Sequence, residues 1–243
     1  AFANISGLNT VVIADQSIIT SVNTSNSFTN VKSNLNSSIT FSNAYSINDL
    51  TIDWKNISEN QFFKTNYSPP PLTCFKTDSK ILTDKGYIPI QELRKGDMIQ
   101  TLRNEYKGID MIGKREIYHY ASKERIKDQL YECSQSEYPE ILEPLVITGC
   151  HCILVDNFKS EEQKRNVIGI NKKIYVTDGK YRLPVCTDDR ASIYEKAGTY
   201  TIYHLALENE DYYMNYGIYA NGLLVETCSK RYLKELSNME LID

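Results

Sequence analysis

From Cys74 to Thr101 the chain reads CFKTDSKILTDKGYIPIQELRKGDMIQT, in which short alternating runs, KILT and YIPI, are cut by Asp84-Lys85-Gly86 and Lys95-Gly96-Asp97. Both tripeptides are good turn formers, so apolar and polar positions must be sorted onto the two faces of short paired strands. The stretch predicts a β-rich module whose first residue is a thiol.

Composition narrows the function classes. In 243 residues, 41% hydrophobic content is enough for a real core, and a net charge of -4 gives no reason to expect nucleic acid or an anionic membrane as partner. No apolar run is long enough for a membrane-spanning helix, and the front shows no signal-peptide pattern. Because the chain opens at Ala1 without Met, it is expected to be a fragment whose targeting segment has been left behind. The six cysteines, Cys74, Cys133, Cys150, Cys152, Cys186 and Cys228, lack zinc-ribbon spacing. Cys150-His151-Cys152, read as strand, turns its thiols to one face and its imidazole to the other. Neither a metal nor another cofactor is expected, nor a disulfide framework in a chain of this size.

Residues 1–68 differ in kind, being rich in Ser, Asn and Thr with short β-branched runs such as TVVIA and SIITSV. They read as a β-type segment, the end of a solenoid or fibre-like region, with disorder as the alternative. DLTIDWKNISENQFF, with Trp54, reads as a small core. Sequons at Asn4, Asn23, Asn36, Asn56 and Asn66 follow from the composition and are compatible with an extracellular, virion or cell-surface setting; the compartment is left open. Pro69-Pro70-Pro71 reads as a stiff spacer of about 9 Å, so that residues 69–73 hold the Thr73-Cys74 bond away from what precedes.

Further on, a strand is expected around Ile117 to Tyr120, with His119 exposed among charged neighbours. EILEPLVITGCHCILV gives a strand Leu145 to Thr148, a glycine, and His151 at the entrance of a second strand. Residues 156–190 show no helical period and predict loops and short strands, with a hairpin over Thr177-Asp178-Gly179. TYTIYHLALEN alternates cleanly, and YMNYGIYANGLLVET predicts two strands about Asn221-Gly222, where Asn221 tolerates an unusual backbone angle. Residues 229–243 read as a short polar tail, helical at most.

The block Cys-Phe, ILT, Gly, Pro-Ile, Leu, Gly-Asp resembles the opening of the Hint (Hedgehog/intein) superfamily of self-processing domains. Thr148-x-x-His151, about 75 residues on, resembles its second block, and the stretches around His204 and Asn221 its closing blocks. The resemblance implies an all-β fold with a pseudo-two-fold, horseshoe-like architecture over residues 74–228. It implies Cys74 as nucleophile, with Thr148 and His151 as catalytic partners. His204 stands where inteins commonly carry an acidic residue that assists later steps, and is a further candidate. The end of the module departs from the pattern: where inteins finish in His-Asn and a nucleophile, this chain has Val225-Glu226-Thr227, so no asparagine can cyclise. Cys228 is accordingly read as ordinary, and the tail is too short to resemble the sterol-recognition region of Hedgehog proteins.

The chemistry then expected is one cut in cis. A thiol just after a peptide bond can attack the preceding carbonyl through a five-membered ring, which supplies proximity. Amide resonance and the small thiolate fraction oppose it. The Thr148 hydroxyl would hold the scissile backbone and His151 would polarise or protonate the departing nitrogen. This N-S acyl shift makes a thioester between Thr73 and Cys74, resolved by water or a small thiol or amine. The partner is the chain's own N-terminal segment, which is released; a sterol, splicing and a C-terminal cut are not expected. Cleavage is expected to slow as pH falls below the thiol reference of about 8.5. Two other readings stay open: a degenerate Hint module that acts as an interaction or folding domain, and a cysteine hydrolase acting in trans.

Overall fold

The structure, a computed structural model, describes residues 72–242 together with three strands further upstream. The chain divides into two compact units, Ala1–Pro70 and Pro71–Asp243. In the first, β1 (Val11–Ile13) runs parallel to β2 (Ser38–Phe41), and β2 pairs antiparallel with β3 (Leu50–Asp53). β1 falls in the TVVIA run; SIITSV, Trp54 and the triple-proline spacer lie outside the described residues.

The second unit is almost entirely antiparallel β structure, organised about an approximate two-fold repeat. Strand β4 (Phe75–Lys76), a turn, β5 (Lys80–Thr83), β6 (Gly86–Pro89) and a 3-10 turn Ile90–Glu92 form its first half. β10 (Leu145–Thr148), a turn, β11 (Cys152–Val155), β13 (Lys180–Pro184) and a 3-10 turn Val185–Thr187 form the second. Equivalent hydrogen bonds recur: Ser79 N to Lys76 O (3.2 Å) matches His151 N to Thr148 O (2.8 Å), and Ile90 N to Ser79 O (2.8 Å) matches Val185 N to His151 O (2.9 Å). Pro89 and Pro184 enter their 3-10 turns at nearly the same angles, φ -56, ψ 134 and φ -56, ψ 129, because proline's locked φ suits that entry. The halves meet where Phe75 and Ile147 face each other in register.

Between the halves runs β8 (Tyr106–His119), long enough to serve both ends of the sheet. Its start pairs with β7 (Met98–Gln100) and the rest with β15 (Gly198–Leu207), with a register shift between Ala206 and Leu207. β9 (Leu130–Cys133) and β14 (Ser192–Ile193) extend the sheet beyond β10. β16 (Gly217–Ala220) and β17 (Leu223–Glu226) bridge β5 and β11. Both expected hairpins form with left-handed turn residues, Asp178 and Gly179 (φ 49 and 81) between β12 (Val176–Thr177) and β13, and Asn221 and Gly222 (φ 47 and 96) between β16 and β17. A Cβ at Gly222 would sit 2.3 Å from Glu140 O, so glycine is required there by space as well as by φ.

The alternation seen in the sequence is the alternation of burial. Ile81 and Thr83 turn inward in KILT, and Ile99, Ile112, Ile147, Ile153, Leu205, Ile218 and Val225 join Ile81 in one core. Each aliphatic side chain removed from water contributes about 1.5–3 kcal/mol.

Three expectations are corrected. Residues Glu161–Asn171 form an α-helix; only Gln163 and Val167 are buried, so it has no apolar stripe to betray it. Its signal was Ser160, whose Oγ accepts from Gln163 N at 3.1 Å, with Glu161 and Glu162 in the first turn. His119 is fully buried at the end of β8, its Nδ1 accepting from Leu130 N (3.1 Å) and its Nε2 hydrogen-bonded to Tyr194 O (2.6 Å). The charged flanks had suggested exposure, but the strand's alternation turns His119 inward while Tyr118 and Tyr120 face out. The last residues are no loose tail. Tyr232–Leu236 make a single π-helical turn and β18 (Glu240–Ile242) pairs with β8, burying Leu233 and Met239. Gly113 permits this docking, since a Cβ there would lie 3.0 Å from Met239 Cβ.

Candidate active site

Thr148 and His151 are the two ends of one tight turn, closed by His151 N to Thr148 O at 2.8 Å. That closure explains the spacing: an i to i+3 turn brings both side chains against the same strand, β4, whose first neighbour is Cys74. Gly149 follows Thr148 because a Cβ there would lie 2.6 Å from Lys127 O. His151 itself sits just before β11, which begins at Cys152.

The Thr148 hydroxyl straddles the peptide groups around Thr73. It accepts from Cys74 N at 2.8 Å and donates to Leu72 O at 2.6 Å, while Thr148 N donates to Cys74 O at 3.0 Å. The amide nitrogen of the Thr73-Cys74 bond is thus held by a fixed polar group instead of water.

His151 and His204 are both fully buried, with ring centroids 5.0 Å apart. Phe75 packs on both, at 4.3 and 5.5 Å. None of the four imidazole nitrogens has a hydrogen-bond partner of normal geometry. Leaving buried polar atoms unpaired costs about 1–3 kcal/mol each, and groups in that condition are commonly the ones chemistry uses. Burial pushes His151 down to about 3, countered only in part by backbone groups of Glu226 and Cys74. Burial, then the neighbouring His151, holds His204 well below the usual imidazole range. Burial also raises the Cys74 thiol far above an ordinary cysteine, with Arg115 opposing. At rest the site therefore holds a neutral thiol beside neutral imidazoles, in place of the ordinary thiol and imidazole values expected from sequence.

Sequence reasoning missed several neighbours. Phe75 supplies the apolar wall for both histidines. Tyr232, from the C-terminal turn, accepts from Thr73 N at 3.2 Å through its hydroxyl, and its ring lies edge-on to His204 at 6.1 Å. Arg125 pins the second 3-10 turn by donating to Ala191 O and Asp188 O, both at 2.7 Å, and stacks on Tyr131. For Tyr232 no local signal existed, because the contact closes a separation of 159 residues.

At the other end of the module, Glu226 is buried and paired with Arg182 at 2.9 Å. Thr227 brackets Tyr216, its N donating to Tyr216 O (2.8 Å) and its Oγ1 accepting from Tyr216 N (2.9 Å). Asn221 stitches the hairpin to both halves: its Oδ1 accepts from Lys80 N at 2.6 Å and its Nδ2 donates to Pro144 O at 2.9 Å. Cys228 is buried near Cys74, its thiol directed at Leu205 O (3.2 Å). All six thiols are free and buried, and no cluster of metal-ligating side chains occurs among the described residues. A cleft of about 310 Å³, whose lining includes Leu72, Thr148, Arg115, Ile117 and Gln129, opens beside the turn that begins at Thr148.

Residues 73–164 match the family model described as the Hint domain. Solved structures similar to this chain include an intein-like domain from Clostridium thermocellum, 13% identical, covering 64% of this chain and 99% of its own, TM-score 0.36. A DnaB intein from Synechocystis sp. PCC 6803 is 14% identical over 63% of this chain and 97% of its own, TM-score 0.31. The gp41-1 intein is 10% identical over 63% and 96%, TM-score 0.33. A comparison with the curated proteins finds no match. The matched segment begins at Thr73 and includes Cys74, Thr148 and His151, and over that stretch the findings support a Hint-type domain within an all-β fold.

Proposed function

We propose that this chain cuts itself once, between Thr73 and Cys74, by a cysteine-dependent N-S acyl shift. The observation that carries the reading is the Thr148 hydroxyl, bonded to the Cys74 N–H at 2.8 Å in a turn whose far end is His151. Cys74 Sγ attacks the Thr73 carbonyl carbon; the S–C bond forms and the C–N bond breaks. Neutral His151 takes the thiol proton and returns it to the departing Cys74 nitrogen, so neither group need be ionised beforehand. Thr148 keeps that nitrogen aligned through the step. His204, touching His151 across 5.0 Å, keeps the pocket apolar and favours the neutral resting form. The thioester then passes its acyl group to water or a small thiol or amine arriving by the cleft beside Leu72 and Thr148. The residues before the bond depart, and no C-terminal cut follows, since neither Glu226, paired with Arg182, nor Thr227, bonded to Tyr216, can form a succinimide.

With a neutral thiol and a neutral imidazole at rest, the uncatalysed resolution step aside, thioester formation is expected to vary little between about pH 6 and 8. The test is intact mass after exposing the full chain to dithiothreitol or hydroxylamine. Release of residues 1–73 as the thioester or hydroxamate at Thr73, absent in Cys74→Ala, is expected. A chain that stays whole under both reagents while cooperatively folded refutes the proposal and leaves an interaction or folding module.

A further inference from the structure

We infer that Tyr232, and through it the C-terminal segment, positions Thr73 for attack and selects a hydroxyl residue at that place; this rests on the processing reading above. The phenol accepts the Thr73 backbone N–H at 3.2 Å. The Thr73 side chain also hydrogen-bonds to the same phenol. Thr148 and Tyr232 together grip consecutive peptide nitrogens, Cys74 N and Thr73 N. The carbonyl between those nitrogens is the one the thiol must reach, so fixing both restricts rotation about the residue whose carbon is attacked. Holding a reacting carbon within a narrow range of approach angles is worth orders of magnitude in rate.

The phenol is itself held. Its ring packs on His204, its turn begins where Tyr232 N donates to Ser229 Oγ (3.2 Å), and Ser237 N closes the turn onto Tyr232 O (2.8 Å). Leu233 and Met239 share one apolar cluster with Cys74, and β18 zips onto β8 at Lys114, Gly113 and Ile112. Arg115, which faces the Cys74 thiol electrostatically, reaches Ser237 O at 3.4 Å. A segment seated this way cannot leave without unmaking the site. Residues beyond Cys228 thus belong to the processing machinery.

The experiment compares thiol-induced release in the parent chain, Tyr232→Phe, Thr73→Val and the double variant. Tyr232→Phe keeps the ring and its packing, and is expected to slow release about tenfold with an unchanged melting temperature. Thr73→Val is expected to cost several-fold in the parent but little in Tyr232→Phe, a coupling that a merely structural tyrosine would not produce. In Cys74→Ala, which stays whole, adding Tyr232→Phe is expected to speed hydrogen exchange of the Thr73 amide at least tenfold, a readout independent of cleavage. Release by Tyr232→Phe within twofold of the parent, or additive losses in the double variant, overturns the inference while the processing reading stands. A parent chain that releases nothing overturns the processing reading and the positioning role with it.

Discussion

The two orphan histidines make acid stability a quantitative test of the site. His151 is held at about 3 and His204 well below its ordinary range by burial, so the folded chain refuses protons that the unfolded chain binds below about 6.5. The sign follows from linkage: the stability is fully present above the unfolded value and is lost as pH falls from about 6.5 toward the folded values. For His151, held at about 3, the cost is about 2 kcal/mol at pH 5, and His204 adds to it in the same direction. Glu226, whose carboxyl is raised by burial against the pull of Arg182, acts in the opposite direction. A variant difference therefore isolates the histidines better than the parent's slope alone. In a Cys74→Ala background, urea unfolding would be followed by the near-ultraviolet signal of buried Tyr131 and Tyr138 from pH 7.5 to 5. Replacing His204 by Leu should make the loss between pH 6 and 5 visibly shallower, because one buried neutral imidazole is removed. Parallel curves for parent and variant over that interval would show that His204 is not buried neutral, and the account of the resting site would fail.

His151→Ala is expected to slow thioester formation by about 10² to 10⁴, the range for losing a positioned acid or base, measured as the rate of dithiothreitol-induced release. His119→Ala should leave that rate within a few-fold but lower stability by about 2 kcal/mol or more, because Leu130 N and Tyr194 O lose their partner; equal rate losses from both would remove the assignment of His151. A reporter fused after Asp243 should remain attached to the Hint domain while the N-terminal part departs, and its appearance as a free chain, or spliced to residues 1–73, would contradict the single-cut reading.

Turns and alternation were legible in the chain itself. KILT, YIPI, the Thr177-Gly179 hairpin and the Asn221-Gly222 hairpin are local decisions, set by residues whose φ or side-chain facing is fixed within a few positions. Thr148-x-x-His151 was legible only as a likeness to a Hint block; its residues read as strand, glycine, strand, and the turn from His151 N to Thr148 O came from the structure. What the turn would touch was not legible. Charge around His119 masked its burial, which depends on β8 pairing with β15 along its length, and the helix at Glu161–Asn171 shows no apolar stripe because so little of it faces the core. The seating of residues 229–242 lay furthest from view: short and polar in sequence, they acquire a place only when β8 is there to pair with β18, with Gly113 free of a side chain. Sequence alone determined most of the strands and both hairpin turns, and singled out Cys74 through a resemblance. Tertiary structure alone decided that thiol and imidazoles rest neutral and that Tyr232 reaches Thr73, because desolvation and contacts across 159 residues exist only once the sheet has closed around them.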